Sequence, residues 1–142
     1  MGAVAASSRR LAHAMTEGIG LERARLVAEL GPGTGVFTDA VLARLAPGAR
    51  VVTVELNPVL AARLSDTRRD TRLTVVQGSA AELAAAVGEP VDAVVSGPPA
   101  RHFTAELACR FGRLERSRVV WSNLPPAFVH RATRKPAHAP RP

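Results

Sequence analysis

The sequence predicts an α/β fold built on a mostly parallel sheet, and three observations lead there. Short β-branched runs alternate with stretches of helical spacing, a glycine-rich turn joins the first run to the first helical stretch, and an Asn-Pro pair opens the next helix. Strands and helices alternating at this interval form βαβ units, with right-handed crossovers and parallel strands. The chain has 142 residues, 46% hydrophobic and 22% charged, which suits one compact domain with a real core. Four Phe, one Trp and no Tyr leave that core to Val, Leu and Ala.

The elements follow in order. Residues 4–16 are Ala-rich and helix-prone, with Leu11 and Met15 on one face, and Gly18 and Gly20 end the helix. Arg25 to Leu30 is a short apolar run that stops at glycine, as a buried strand does. After the turn Gly31 to Gly35, apolar positions 37, 41, 42 and 45 give a helix over Val36–Leu45, ended by Pro47-Gly48. Arg50 to Glu55 (RVVTVE) is the second strand. Asn57 is an N-cap and Pro58 a first helical residue, with the helix reaching about Leu64.

Leu73 to Gln77 (LTVVQ) is the third strand, and the S-x-x-E spacing of Ser79 and Glu82 is a capping box for a helix to about Val87. Val91 to Ser96 is the fourth strand, running into Gly97-Pro98-Pro99. Beyond it the rhythm changes. One short helix is expected over 102–111, a strand over Ser117 to Trp121, a break at Pro125-Pro126, and a last antiparallel strand over Ala127 to Ala132. Residues 1–134 thus read as a single domain, and 135–142, rich in Pro, Ala, His and Arg, as a disordered tail.

The chemistry concentrates in Glu29-Leu30-Gly31-Pro32-Gly33-Thr34-Gly35. Glycines let backbone turn sharply and approach a ligand with no side chain in the way. The spacing is G-x-G-x-G, since Val36 stands where the dinucleotide fingerprint needs its last glycine, and no G-K-[ST] is present for a phosphate loop. Glu29 would repel a pyrophosphate but attract an ammonium group. Glu55 closes the second strand, where a carboxylate can accept hydrogen bonds from both hydroxyls of a ribose. A nucleoside carrying positive charge and no phosphate meets both conditions, and S-adenosylmethionine is such a molecule.

Residues 1–100 carry ten Arg against ten acids, while residues 101–142 carry nine basic residues against Glu106 and Glu115, which accounts for the whole net charge of +7. Such a segment suits an anionic partner, either nucleic acid or a membrane surface, or is a solvated tail. Cys109 is the only cysteine, so no disulfide framework is possible, which fits a reducing cytoplasm. The four His show no metal-ligand spacing. Met1 to Ser8 is small and apolar, but Arg9 and Arg10 follow it, the wrong order for a signal peptide.

The stretch VAELGPGTGVFTDAVLARL…ARVVTVELNP…LTVVQGSAAEL…VDAVVSGPP resembles class I S-adenosylmethionine-dependent methyltransferases over roughly residues 4–99, resuming at about 109–134. It looks most like bacterial phospholipid N-methyltransferases and more distantly like rRNA adenine dimethylases. The resemblance implies a Rossmann-like methyltransferase fold. In it Glu29, Gly31, Gly33 and Gly35 hold the methionine part of the cofactor, Glu55 holds the ribose, and Ser79 and Ala80 lie beside the adenine. Many members have an acid where this chain has Ser79, so its capping and ligand roles compete, with the cap favoured.

The acceptor loop implied by the resemblance is Ser96-Gly97-Pro98-Pro99, but Ala100 stands where these enzymes carry an aromatic side chain. The full fold also has a helix and a fifth parallel strand before its terminal antiparallel pair. The roughly twenty residues between Ser96 and SRVVW are too few for helix, strand and helix, so the sheet is expected to lack one βα unit. Asn123-Leu124-Pro125-Pro126 imitates the adenine-dimethylase motif but falls too late in the chain. His102 is near enough to the loop to be weighed as a general base, against a solvated helix end.

The resemblance therefore implies N-methylation of a phospholipid head group or similar amine. Two alternatives stand beside it: methylation of an RNA adenine, and a catalytically inactive cofactor-binding remnant. On the first, the chain works in the cytoplasm, peripherally at a membrane drawn by its Arg-rich part.

Overall fold

β-Branched runs fill the centre of the molecule. In the computed structural model, which describes residues 9–96, 113–116 and 130–133, four parallel strands occupy that centre. They are β1 (Leu26–Leu30), β2 (Arg50–Glu55), β3 (Leu73–Gln77) and β4 (Ala93–Ser96). Every residue of β1, and every residue of β2 after Arg50, is buried, as strands covered on both faces must be. β3 lies at one edge and is only half-buried.

The strand order is β3-β2-β1-β4-β6-β5. β5 (Arg113–Arg116) and β6 (His130–Thr133) form the antiparallel pair. β6 lies directly against β4, with Ala93 opposite Thr133 and Val94 opposite Ala132. No parallel strand stands between them, so among the described residues the sheet has four parallel strands and no fifth, as the short spacing predicts.

α1 (Arg9–Thr16) and α2 (Val36–Leu42) pack on one face through Leu11, Phe37 and Val41 over Val27, Val51 and Val95. On the other face Leu83 and Ala86 of α4 (Leu83–Val87) pack with Ala28, Leu30, Val54 and Val94. Among the described residues the buried core is aliphatic apart from Phe37. At the lower end of the sheet Asp92 Oδ2 accepts from the N–H groups of Arg25 and Leu26 at 2.8 and 3.1 Å, which ties the entry of β1 to that of β4. Among the described residues no helix is long and apolar enough to cross a membrane.

Several boundaries differ from expectation. α2 ends at Leu42 rather than Leu45: the N–H groups of Arg44 and Leu45 both bond to Val41 O, at 3.0 and 3.1 Å, in a turn that still buries Leu45. α3 (Pro58–Thr67) runs past Leu64, because its last turn is polar and exposed and carries no apolar signal. β4 starts at Ala93, two residues later than the apolar run. A strand is found at Arg113–Arg116, and the expected strand over Ser117 to Trp121 lies outside the described residues. Charged residues on an edge strand discourage pairing with other chains, and they hide the strand from any apolar pattern. β6 overlaps the expected Ala127–Ala132 at its end.

The start of α3 is fixed by its cap. Asn57 Oδ1 accepts from the N–H groups of Val59 and Leu60, at 2.9 and 3.3 Å, and Pro58 takes the first helical position. Asn57→Ala should therefore lower stability by about 1 kcal/mol, read as a reduced urea midpoint with unchanged slope.

Candidate functional site

The four parallel strands end level. Leu30 lies opposite Val54 on one side and Ser96 on the other, and Glu55 lies opposite Gln77. From β1 the chain first builds outward through β2 and β3, then returns to place β4 on the other flank. Ligands of open α/β sheets bind at such a switch point, beyond the carboxyl ends of the strands.

The turn after β1 is fixed by backbone bonds. Gly31 N–H donates to Val54 O at 2.9 Å, and Gly35 N–H to Pro32 O at 2.9 Å. Gly31, Gly33 and Gly35 have φ of 62°, 57° and 85°, the left-handed region where a side chain is strained. The three differ in what lies beside them. A Cβ on Gly31 or Gly33 would meet nothing within 4 Å, whereas one on Gly35 would stand 2.5 Å from Arg68 Cζ and Leu64 Cδ1. The first two glycines face open space, and the third admits α3.

Glu29 is 1% exposed. Its Oε2 accepts from Thr38 Oγ1 at 2.7 Å, while Oε1 is buried with no hydrogen-bond partner. Burial pushes its carboxyl up to about 8; the Thr38 hydrogen bond and Arg68 oppose the rise, and the charges of Asp39 and Glu55 add to it. An orphaned buried carboxyl oxygen is rare in a native fold. It is the atom that a donor group, above all a cationic one, would satisfy.

Glu55 is 7% exposed. Its Oε2 accepts from Gly33 N–H at 3.0 Å and its Oε1 from Asn57 N–H at 2.9 Å. Each oxygen keeps a further lone pair, so the group holds the turn in shape and retains capacity for two more donors. Next to it Gly78 N–H donates to Glu55 O at 2.9 Å, which brings Ser79 and Ala80 to the same end of the sheet. Ser79 takes the capping role: its N–H donates to Glu82 Oε2 at 2.6 Å, and Glu82 N–H to Ser79 O at 3.0 Å. Leu56 and Val59, 69% and 72% exposed, follow Glu55 and give this corner an apolar surface.

Glu29, Gly31, Gly33, Gly35, Glu55, Ser79, Ala80 and Ser96 are thus assembled around one end of the sheet. Gly97, Pro98 and Pro99, with Ala100 and His102, lie outside the described residues. Three members of the site escape a reading of the sequence: Thr38, which holds Glu29, and the pair Asp39 and Arg68 beside it. Hydroxyl, acid and arginine residues at ordinary spacings give no signal of their own. Among the described residues no group of His, Cys, Asp or Glu is placed to hold a metal ion.

Fold and site together define the chain as a class I methyltransferase domain. The sequence model of the ribosomal RNA adenine dimethylase family matches residues 8–87, and the chain belongs to that family. The match is to the adenine dimethylases, not to the lipid enzymes that the sequence resemblance puts first. No curated protein sequence matches the chain. Its fold is similar to that of an O-methyltransferase from Bacillus cereus in complex with S-adenosylhomocysteine, at TM-score 0.68 and 15% identity, covering 94% of this chain and 84% of that one. A putative O-methyltransferase from Klebsiella pneumoniae matches at TM-score 0.66 and 13% identity, covering 95% and 84%. The O-methyltransferase TomG from Streptomyces achromogenes, involved in tomaymycin synthesis and solved with S-adenosylmethionine, matches at TM-score 0.63 and 18% identity, covering 92% and 82%.

The state of Glu29 has a consequence for stability. Its carboxyl ionises near 4.5 when exposed and near 8 in the fold, so between these values the folded chain retains a proton that the unfolded chain has lost. Stability should fall as pH rises through that window, by up to about 1.4 kcal/mol per pH unit. Urea denaturation from pH 5 to 8 should show this fall in the wild type and a flatter profile in Glu29→Gln. Parallel profiles would mean that Glu29 is ionised in the fold.

Proposed function

We propose that this chain binds S-adenosylmethionine at the carboxyl end of its parallel strands and transfers the methyl group to an amine nitrogen. The observation that carries the reading is the pair of buried acids flanking the glycine turn, with one oxygen of Glu29 unpartnered. Glu29 supplies a carboxylate for the ligand ammonium, whose positive charge draws the carboxyl back toward ionisation. Gly31 and Gly33 leave room for the ligand chain, and Glu55 offers its free lone pairs to ribose hydroxyls. Leu56 and Val59 offer an apolar wall to a base. Arg68, the cation that touches the turn, is engaged by Asp39 rather than open to a phosphate.

The bound cofactor supplies a methyl group on a positive sulfur; transfer forms an N–C bond, breaks the S–C bond, and leaves a neutral thioether and a proton to be lost. What the chain adds is alignment of donor and acceptor and exclusion of water. The acceptor loop of this reading is Ser96 to Pro99.

Two acceptors fit. A phospholipid head-group amine is supported by the sequence resemblance and by the Arg-rich segment after residue 100, each basic residue near an anionic surface contributing about 1 kcal/mol. That reading places the chain in the cytoplasm, peripherally at a membrane. An adenine in RNA is supported by family membership, and the same basic segment suits phosphates.

Isothermal titration with S-adenosylmethionine and S-adenosylhomocysteine is the first test. Both should bind, and Glu55→Ala should weaken binding about tenfold or more. A folded sample that binds neither would refute the reading. With binding in hand, labelled methyl transfer to phosphatidylethanolamine vesicles and to structured RNA separates the acceptors. Binding without transfer to any amine would identify a cofactor-binding domain that has lost its chemistry.

A further inference from the structure

Arg68 comes from a different part of the chain than the turn it touches. It is the residue that ends α3, and its side chain runs back beneath the Thr34–Gly35 end of the turn. Nε and Nη2 donate to Asp39 Oδ1 and Oδ2 at 2.8 and 3.0 Å, a bidentate pair with the first turn of α2. Nη2 also donates to Thr34 O at 3.0 Å, and Nη1 to Thr67 Oγ1 at 2.8 Å. Its side chain is 20% exposed, against 57% for Asp39.

The turn is therefore held at three points. Gly31 N–H is tied to Val54 and Gly33 N–H to Glu55. The Thr34 carbonyl is tied across to α3 by Arg68. Exposure of the Asp39 partner to solvent limits what the pair contributes to global stability. The pair's geometry is specific all the same. The guanidinium uses both hydrogens of Nη2, one on a carboxylate and one on a backbone carbonyl, a fork that an ammonium cannot reproduce. Gly35 is the complement of this arrangement, because any Cβ there would collide with the guanidinium.

We propose that Arg68 is a positioning residue for cofactor binding: it locks the last part of the glycine turn and, by pairing with Asp39, keeps that acid from acting against Glu29. The inference rests on the reading of this turn as a cofactor site. Among the described residues Asp39, Arg68 and Glu55 are the charged groups that act on Glu29, and Asp39 and Arg68 act in opposite directions. Removing Arg68 both frees the turn and leaves Asp39 as an unneutralised negative charge. Glu29 then becomes harder to ionise when the ligand ammonium arrives.

The test is S-adenosylmethionine titration between pH 6.5 and 8.5 with wild type, Arg68→Ala, Arg68→Lys and the double variant Arg68→Ala/Asp39→Asn. Arg68→Ala should bind about tenfold more weakly, with a nearly unchanged urea midpoint, and its binding should need a more alkaline pH. Arg68→Lys should recover part of the affinity, since it restores charge without the fork. The double variant should bring the pH profile back toward wild type, which a purely structural brace would not do. Wild-type affinity and an unchanged pH profile in Arg68→Ala would overturn the proposal and leave the cofactor site standing. Failure of the wild type to bind would remove both. Should Arg68→Ala not fold, Arg68→Lys decides: full wild-type affinity overturns the proposal, and a partial loss supports it.

Discussion

The Gly31 N–H···O=C Val54 hydrogen bond is the last rung between β1 and β2, and it fixes where the chain leaves the sheet. Everything at the functional end is measured from it. One residue earlier Leu30 is still paired as a strand, and two residues later Gly33 turns its N–H to the Glu55 carboxylate. The turn is thus tied to β2 twice, once through backbone and once through a side chain. Because β2 is buried on both faces, neither anchor can shift without disturbing the core. A loop of glycines, flexible in isolation, is held in shape by being fastened to a buried central strand.

The two acids of the site are not equivalent, and their differences arise from place. Glu29 sits within a strand and points into packed protein, where its single donor is a threonine hydroxyl. Glu55 sits at a strand end and accepts from two backbone N–H groups. Glu55 braces the glycine turn through hydrogen bonds, while burial pushes the Glu29 carboxyl up. Such division of labour between neighbouring carboxyls arises from burial and hydrogen bonding alone.

The parallel half of the fold was legible because its signals are local. RVVTVE and LTVVQ have only one comfortable conformation, and their strands fall on the residues the pattern names. Asn57-Pro58 and Ser79/Glu82 mark helix starts through side chains that bond a few residues away. Signals fail where structure is set from a distance. The polar end of α3 is helical with no apolar face to reveal it, and the edge strand RLER, antiparallel to β6, is mostly charged in sequence. Thr38, Asp39 and Arg68 meet Glu29 and the turn only after folding, across 9 to 34 residues. The acids and glycines of the site were readable as a motif; the residues that support them were not.

The direct pairing of β4 with β6 bears on the order in which the chain assembles. β1, β2, β3 and β4 are contiguous in sequence and share a core, so a nascent chain can organise them as soon as Ser96 is clear of the ribosome. The flank of β4, however, waits for His130–Thr133. At synthesis rates of about 5–20 residues per second, some seconds pass with the edge of a central, apolar strand bare. Loss of a parallel strand that would have come next turns this edge into the point where a growing chain is open to pairing with its neighbours. Production at high density, rather than the finished fold, is where the shortened sheet would first be felt.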